Sequence, residues 1–213
     1  MRNYRYILWD WNGTLFNDVS LCHEIANEIL GQQGIPAQTL EQYRHDFEFP
    51  VVHYYQKMGW DFSVMPNEAL SEHFIRTYES RRHSCGLHEG AVKILEKIKE
   101  SYVLTILSAY QHDTLQEVLH HHGIHELFET CQGNRDIYAP GKIEVAHNLL
   151  NLLPVEGGDC LMIGDTIHDC EVAEQLGADC LLVAHGHQSE RRLQSAGQPI
   201  VHSLQEVYDW LEG

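Results

Sequence analysis

The chain has 213 residues, 43% hydrophobic and 21% charged, and its 14 Lys and Arg against 31 Asp and Glu leave a formal charge of −17. That size and balance fit one globular unit, or one unit carrying an insertion. Such a surface repels phosphate backbones and anionic headgroups, so nucleic acid and membrane partners are excluded. An anionic substrate then needs positive charge supplied locally, by a metal, a lysine or backbone N–H groups. No stretch approaches the roughly 20 apolar residues that span a bilayer, and the N-terminus carries no secretory pattern. The six cysteines are scattered through apolar and helical patterns. A disulfide framework is not expected, and reduced thiols in a cytoplasmic chain are.

The first strand pattern is "YILW" (6–9), and it ends directly in Asp10 and a Trp-Asn-Gly-Thr turn. Residues 17–85 contain no strand pattern. "SLCHEIANEILGQQG" puts Leu21, Ile25, Ile29 and Leu30 on one helical face and stops at Gly34. "TLEQYRHDF", "VVHYYQKMG" and "NEALSEHFIRTYESRRH" predict three more helices, separated by Pro50 and Pro66. From residue 86 the pattern changes. Strands "YVLTIL" (102–107), "CLMIG" (160–164), "CLLVA" (180–184) and "PIVH" (199–202) alternate with helices. "HEGAVKILEKIKE" (88–100) spaces Val92, Leu95 and Ile98 helically, and "HDTLQEVLHHHG" (112–123) stops at Gly123. "GKIEVAHNLLNLL" (141–153), "HDCEVAEQLG" (168–177) and "SLQEVYDWLEG" follow. Alternating helices and near-continuous apolar strands predict an α/β fold, a Rossmann-like parallel sheet covered on both faces. The core is 1–16 and 86–213, and 17–85 is an all-helical cap inserted after the first strand. The His120–His122 run reads as surface.

Ligands of an open parallel sheet bind outside the carboxyl ends of its strands. Asp10, Ser108 and Asp165 stand at those ends, Asp169 follows four residues after Asp165, and Lys142 opens the intervening helix. Carboxylates gathered at one point repel one another, and a hard cation such as Mg²⁺ resolves the repulsion. Asp10 and Asp165 are its natural ligands. Ser108 and Lys142 then serve phosphoryl oxygens, and Asp10 can form an aspartyl-phosphate.

"DWNGTL" (10–15), "ILSAY" (106–110), "GK" (141–142) and "GDTIHD" (164–169) resemble the four motifs of the haloacid dehalogenase superfamily. The helical insert resembles the cap of its phosphoglycolate phosphatase-like and beta-phosphoglucomutase-like members. The resemblance spans nearly the whole chain and implies a phosphatase for a small phosphorylated metabolite, monomeric or homodimeric, with Mg²⁺ as cofactor. It implies Asp10 as nucleophile and metal ligand, and the Asn12 carbonyl as a second ligand. Asp165 would bind the metal directly, while Asp169 would hold a metal-bound water or Lys142. Trp11, Gly13, Thr14, Ser108, Ala109 and Lys142 would bind the phosphoryl group. Two departures stand out. Ile143, not proline, follows the lysine, and Asn12 occupies the place of the second Asp that protonates the leaving oxygen. An amide cannot titrate, and lost acid–base help slows such a reaction by about 10²–10⁴-fold. His45 and His53 are candidate replacements. Three alternatives follow from Asn12. One is a metal-free dehalogenase, which "GDTIHD" argues against. Another is a phosphonoacetaldehyde hydrolase-like enzyme with a Schiff base on Lys57, the only lysine of the insert. The third is a phospho-ligand-binding module with weakened turnover.

Overall fold

The computed structural model describes residues 4–135, 142, 145, 146, 149 and 157–213. Six parallel strands form the central sheet: β1 (Tyr6–Trp9), β4 (Val103–Gln111), β5 (Thr130–Asn134), β6 (Cys160–Gly164), β7 (Asp179–Val183) and β8 (Ile200–Val201). Their spatial order is β5-β4-β1-β6-β7-β8. β1 lies between β4 and β6, with Trp9 paired to Ile106 on one side and to Ile163 on the other. The chain leaves β1 toward β4 and β5, then crosses back to β6 and runs outward to β8. The order therefore reverses beside β1, and a ligand crevice is expected at the carboxyl ends of β1 and β6.

Period-2 alternation decides which face each strand residue serves. Ile7 and Trp9 join the apolar cluster that includes helices α5 (Ala91–Lys99), α6 (His112–His121) and α9 (Leu204–Glu212). Tyr6 and Leu8 join the opposite cluster, with Val172, Ala173 and Leu176 of α7 (Ile167–Leu176). Both faces are covered, which is why these strands read as continuous apolar runs. Each fully buried Leu, Ile or Val in these layers contributes about 1.5–3 kcal/mol.

Between β1 and α5 the chain forms four helices: α1 (Val19–Gln32), α2 (Leu40–Asp46), α3 (Val51–Lys57) and α4 (Asn67–Arg81). Thr39 and Gln42 close a reciprocal capping box on α2, and Pro50 and Pro66 stand at the N-caps of α3 and α4. This segment is entered and left through a two-stranded antiparallel ribbon, β2 (Phe16–Asn17) with β3 (Gly86–Leu87). Two-residue strands carry too little periodicity to register in the sequence.

Four expectations are revised. β4 does not stop before Ser108 but runs on to Gln111, with a register shift between Leu107 and Gln111 that keeps pairing to Asn134. β5 was not expected at all, since "TCQGN" has one apolar side chain. Val92 is 40% exposed, because α5 buries Ala91, Ile94, Leu95 and Ile98. A short helix, α8 (Glu190–Leu193), follows β7. The helix expected over 141–153 falls outside the described residues, apart from Lys142, Val145, Ala146 and Leu149.

Candidate active site

Asp10 follows β1 and Asp165 follows β6, so the two flank the crevice where the strand order reverses. Asp169 lies in the first turn of α7, and its Oδ2 accepts hydrogen bonds from the backbone N–H of Thr166 (3.0 Å) and from Thr166 Oγ1 (2.7 Å). Asp10, Asp165, Asp169 and Lys142 are all buried. Lys142 Nζ lies 2.5 Å from Asp10 Oδ1 and 2.6 Å from Asp169 Oδ1. Thr14 Oγ1 donates to Asp10 (3.3 Å) and to Asp165 (3.0 Å), and the backbone N–H of His187 donates to Asp165 Oδ2 (2.5 Å). Gly13 has φ +76°, and a Cβ there would strike the Asp165 carboxylate and the His187 ring. Gly186 meets Asp165 as closely. Only glycine lets both turns pass so near a buried acid.

Three acids against one lysine leave the crevice with excess negative charge. Burial, then the Asp169 and Asp165 charges, push the Asp10 carboxyl well above the usual carboxylate range, against the pull of Lys142. Burial pulls the lysine down, but the Asp10 and Asp169 charges outweigh it and hold the ammonium form. Burial raises Asp169, yet the lysine and the Thr166 donors carry it below its ordinary value. Oxygens of Asp10, Asp165 and Asp169 lie within 4.8 Å of one another. An all-oxygen donor set with surplus negative charge fits a hard divalent cation. Asp169 is committed both to Lys142 and to its own helix cap, whereas Asp10 shares only the lysine and Thr14.

Asn12 does not stand alone. Its amide donates to Asp18 Oδ2 (2.7 Å) and to the Tyr78 hydroxyl (2.8 Å). Asp18 is wholly buried and also accepts from the Gly13 N–H (3.0 Å) and from Tyr78 (2.7 Å), with His187 Nε2 at 3.3 Å. Burial raises the Asp18 carboxyl, but His187, Asn12 and Tyr78 together bring it below its ordinary value. The sequence reading missed both Asp18 and His187, because a carboxylate before a helix reads as a cap and a lone histidine reads as loop. Asp18 makes no side-chain cap bond in α1.

The other expected site residues fall as follows. Ser108 is buried, lines the cavity described below, and accepts from the Tyr110 N–H at 3.1 Å. Ala109 lines the cavity, and its carbonyl accepts from Asn134 Nδ2 at 2.8 Å. The Trp11 ring turns into the core and stacks on Phe16 with centroids 5.0 Å apart. His45 and His53 are exposed and do not line the cavity, so His187 is the histidine of its wall. Lys57 is also exposed, pairs with Asp46 at 2.6 Å, and stands outside the cavity. Among the described residues Lys142 is the only lysine that lines it, so the Lys57 Schiff-base reading loses its residue.

The crevice opens into a cavity of about 510 Å³ between the strand ends and α1–α4. Residues 7–183 match the haloacid dehalogenase-like hydrolase family. The chain belongs to that family. A 5'-nucleotidase of Pseudomonas aeruginosa is 27% identical over 204 residues, covering 92% of this chain and 89% of that protein. Among solved structures, a predicted phosphatase from Clostridium acetobutylicum superposes with TM-score 0.81 at 19% identity over 99% of both chains. A predicted phosphoglycolate phosphatase from Haemophilus somnus gives TM-score 0.76 at 16% identity, again over 99% of both. The structural likenesses establish the fold.

Two histidines clamp the motif turn from outside. His88 Nε2 bonds the Gly13 carbonyl (3.0 Å), His185 Nε2 bonds the Thr14 carbonyl (3.0 Å), and the two rings lie 4.0 Å apart. Burial, then His185, push His88 from its ordinary 6.5 down to about 4. A histidine with a depressed folded pKa takes its proton more readily in the unfolded chain, so it removes stability as pH falls from about 6.5 toward 4 and has no effect above that window. His88→Gln retains an N–H donor for Gly13 and removes the titration. Thermal midpoints measured from pH 7.5 to 4.5 should fall less steeply for the variant than for wild type. An unchanged acid slope would show that His88 is not held neutral.

Proposed function

We propose that the chain is a divalent-metal-dependent phosphomonoester hydrolase that works through an aspartyl-phosphate on Asp10. The observation carrying this reading is Lys142 held between Asp10 and Asp169, beside Asp165, where the cavity meets the strand ends. Asp10 and Asp165 would hold the ion, Mg²⁺ by its oxygen donors, which when bound neutralises charge on the transferring phosphoryl group. Asp10 attacks phosphorus, the bond to the ester oxygen breaks, and that oxygen leaves as the alcohol after taking a proton. Water then attacks phosphorus, releases phosphate and restores Asp10. Lys142 steadies the nucleophile and supplies the fixed cation for the phosphoryl oxygens, while Ser108 stands on the same wall as a hydroxyl donor. A protein with residues 1–16 and 86–213 as core and 17–85 as cap, acting in the cytoplasm on a small phosphorylated metabolite, completes the reading. The likeness to a 5'-nucleotidase puts nucleoside 5'-monophosphates first in a substrate panel.

Wild-type protein should release phosphate from some member of a phosphomonoester panel with Mg²⁺, lose that activity in EDTA and regain it when Mg²⁺ returns. Asp10→Asn should abolish turnover with the melting profile retained, in protein checked by mass for reversion to the acid. Full turnover in chelator, or by the unreverted variant, would refute the route. Binding of phosphorylated ligands without phosphate release would turn the reading to a binding module.

The Asn12 network sharpens what a restored acid requires. An Asp at position 12 alone faces the buried Asp18 carboxylate, and like charges so close are costly. Asn12→Asp should therefore lower the melting temperature with little gain. The exchange Asn12→Asp with Asp18→Asn keeps one amide against one carboxylate and moves the acid to position 12. That double variant should speed hydrolysis of alkyl phosphates, whose poor leaving oxygens need a proton, by up to about 10²–10⁴-fold. Because Asn12 precedes Gly13, wild-type samples need a mass check for deamidation. No gain in the exchange variant would place the proton source elsewhere on the wall.

A further inference from the structure

We propose that the ester this site takes is a monophosphate whose leaving group carries a flat aromatic ring and no second negative charge. The proposal rests on the hydrolase reading and concerns the cavity wall. Rings supply that wall from the α2–α3 segment, from α4 and from β4. Five of them are tyrosines, and the hydroxyls of four, Tyr43, Tyr54, Tyr78 and Tyr110, are already engaged. Tyr43 shares a bond with His187 Nδ1 (3.0 Å), Tyr54 donates to Gln38 (2.5 Å), Tyr78 to Asp18 (2.7 Å) and Tyr110 to Glu79. Phe47 and Phe74 have no polar atom to offer. Phe47 packs 5.3 Å from the Tyr43 ring, and Phe74 stacks on Tyr78 at 6.3 Å with planes 12° apart. What the wall presents to a ligand is largely apolar and ring surface, in a volume of about 510 Å³, within the ~300–1,000 Å³ usual for small organic ligands.

Charge narrows the choice. The cations lining the cavity among the described residues are Lys142 and, when protonated, His187. Lys142 is held by Asp10 and Asp169, and His187 faces Asp18. Glu79 is paired with Arg82 at 2.7 Å. Residues 136–141 and 143–156 contain no Lys or Arg. A carboxylate or second phosphate on the leaving group would find no unpaired cation among the described lining residues. A nucleoside monophosphate meets this description, whereas a nucleoside diphosphate or a phosphorylated hydroxy acid does not.

Binding of 2-phenylethylphosphonate, ethylphosphonate and 3-phosphonopropionate, followed by calorimetry in Mg²⁺ buffer, tests the wall without turnover. The phenyl compound should bind at least ~10-fold more tightly than either of the others. Phe74→Ala should shrink the phenyl preference, and Ser71→Arg, which adds a cation to the lining, should improve binding of the carboxylate. In parallel, kcat/KM for 2-phenylethyl phosphate should exceed that for propyl phosphate and for phosphoglycolate, all alkyl esters. Equal binding of phenyl and carboxylate compounds overturns the proposal even if every ester is hydrolysed. The expected binding order with no phosphate release from any ester leaves the proposal standing and removes the hydrolase reading.

An independent observation concerns the far end of α6. We infer that His120, His125 and Glu126 form a surface site for a divalent transition ion of the Zn²⁺ type. Their donor atoms lie within 4.8 Å of one another, and the two rings stack with centroids 3.9 Å apart. Gln116 sets both tautomers. Its backbone carbonyl accepts from His120 Nδ1 (2.7 Å) and its side-chain oxygen from His125 Nε2 (2.7 Å), while its NH₂ donates to the Cys131 carbonyl (3.1 Å). His120 Nε2 is thereby left as a bare lone pair, while His125 Nδ1 faces Glu126 Oε1 at 3.3 Å, a hydrogen bond that a metal ion would replace by taking both atoms as ligands. Outer partners that fix a ring in this way are what imidazole metal sites use. Equilibrium dialysis of untagged protein against Zn²⁺, with millimolar Mg²⁺ present, should show one equivalent more for wild type than for the His120→Gln/His125→Gln double variant. Gln116→Leu should weaken that equivalent by about 10–100-fold. Equal stoichiometry and affinity in wild type and a folded double variant would overturn the site.

Discussion

Three buried carboxylates meet where the order of the sheet reverses, and the lysine between them is the cation that makes the arrangement tenable. Lys142 pairs with Asp10 at 2.5 Å and with Asp169 at 2.6 Å. The cluster divides accordingly. Asp169 and Lys142 act as a fixed pair, locked from behind by the Thr166 cap, while Asp10 carries the imbalance as a raised proton affinity. A divalent cation bound there would relieve that imbalance where the lysine cannot. The glycines at 13 and 186 follow from the same constraint, because a buried acid with backbone on two sides leaves no room for a side chain.

The asparagine at position 12 has a physical account in the same terms. The crevice already holds a further carboxylate, Asp18, six residues on and bonded to Asn12, Gly13 and Tyr78. Acids at both positions would confront each other without water between them. An amide at 12 is the neutral donor that Asp18 requires. The acid expected at the second motif position is thus replaced by a hydrogen-bonded pair with its charge on Asp18, just before α1, and this pair, through Tyr78 and His187, reaches both α4 and the loop after β7.

The sheet, the four helices after β2 and the acids at the strand ends were legible because each rests on local periodicity or on a strand-end position. Asp10, Asp165 and Asp169 announced themselves through charge in otherwise apolar surroundings. β5 and the β2–β3 ribbon were illegible because pairing, not composition, makes them strands. Val92 was misassigned because a spacing of three from Leu95 fits a helical face without deciding where its edge lies. Asp18 and His187 were hidden for another reason. Their significance is a contact across 169 positions of sequence, 187 − 18, made at 3.3 Å, and no local pattern encodes it. Lys57 and the exposed His45 and His53 show the converse, chemistry-bearing residue types that the fold turns away from the cavity.

The helical segment is also fastened to the strand ends by polar contacts gathered on one loop. Arg44 donates to the carbonyl of Ala184 (2.5 Å), Gln188 to that of Phe47 (2.9 Å), and Arg192 pairs with Glu48 at 2.7 Å. Tyr43 meets His187 from the same direction. The residues following β7 therefore do two things at once. His187 donates its backbone N–H to Asp165 and its ring faces Asp18, while its neighbours hold α2. Rearrangement of α2 that moved the aromatic wall would pull on the residue that orients Asp165. The ring wall of the cavity and the geometry of the acids are joined through this one loop, and the joint is made of hydrogen bonds and ion pairs, whose net worth of about 0.5–3 kcal/mol each is small enough to be broken and remade.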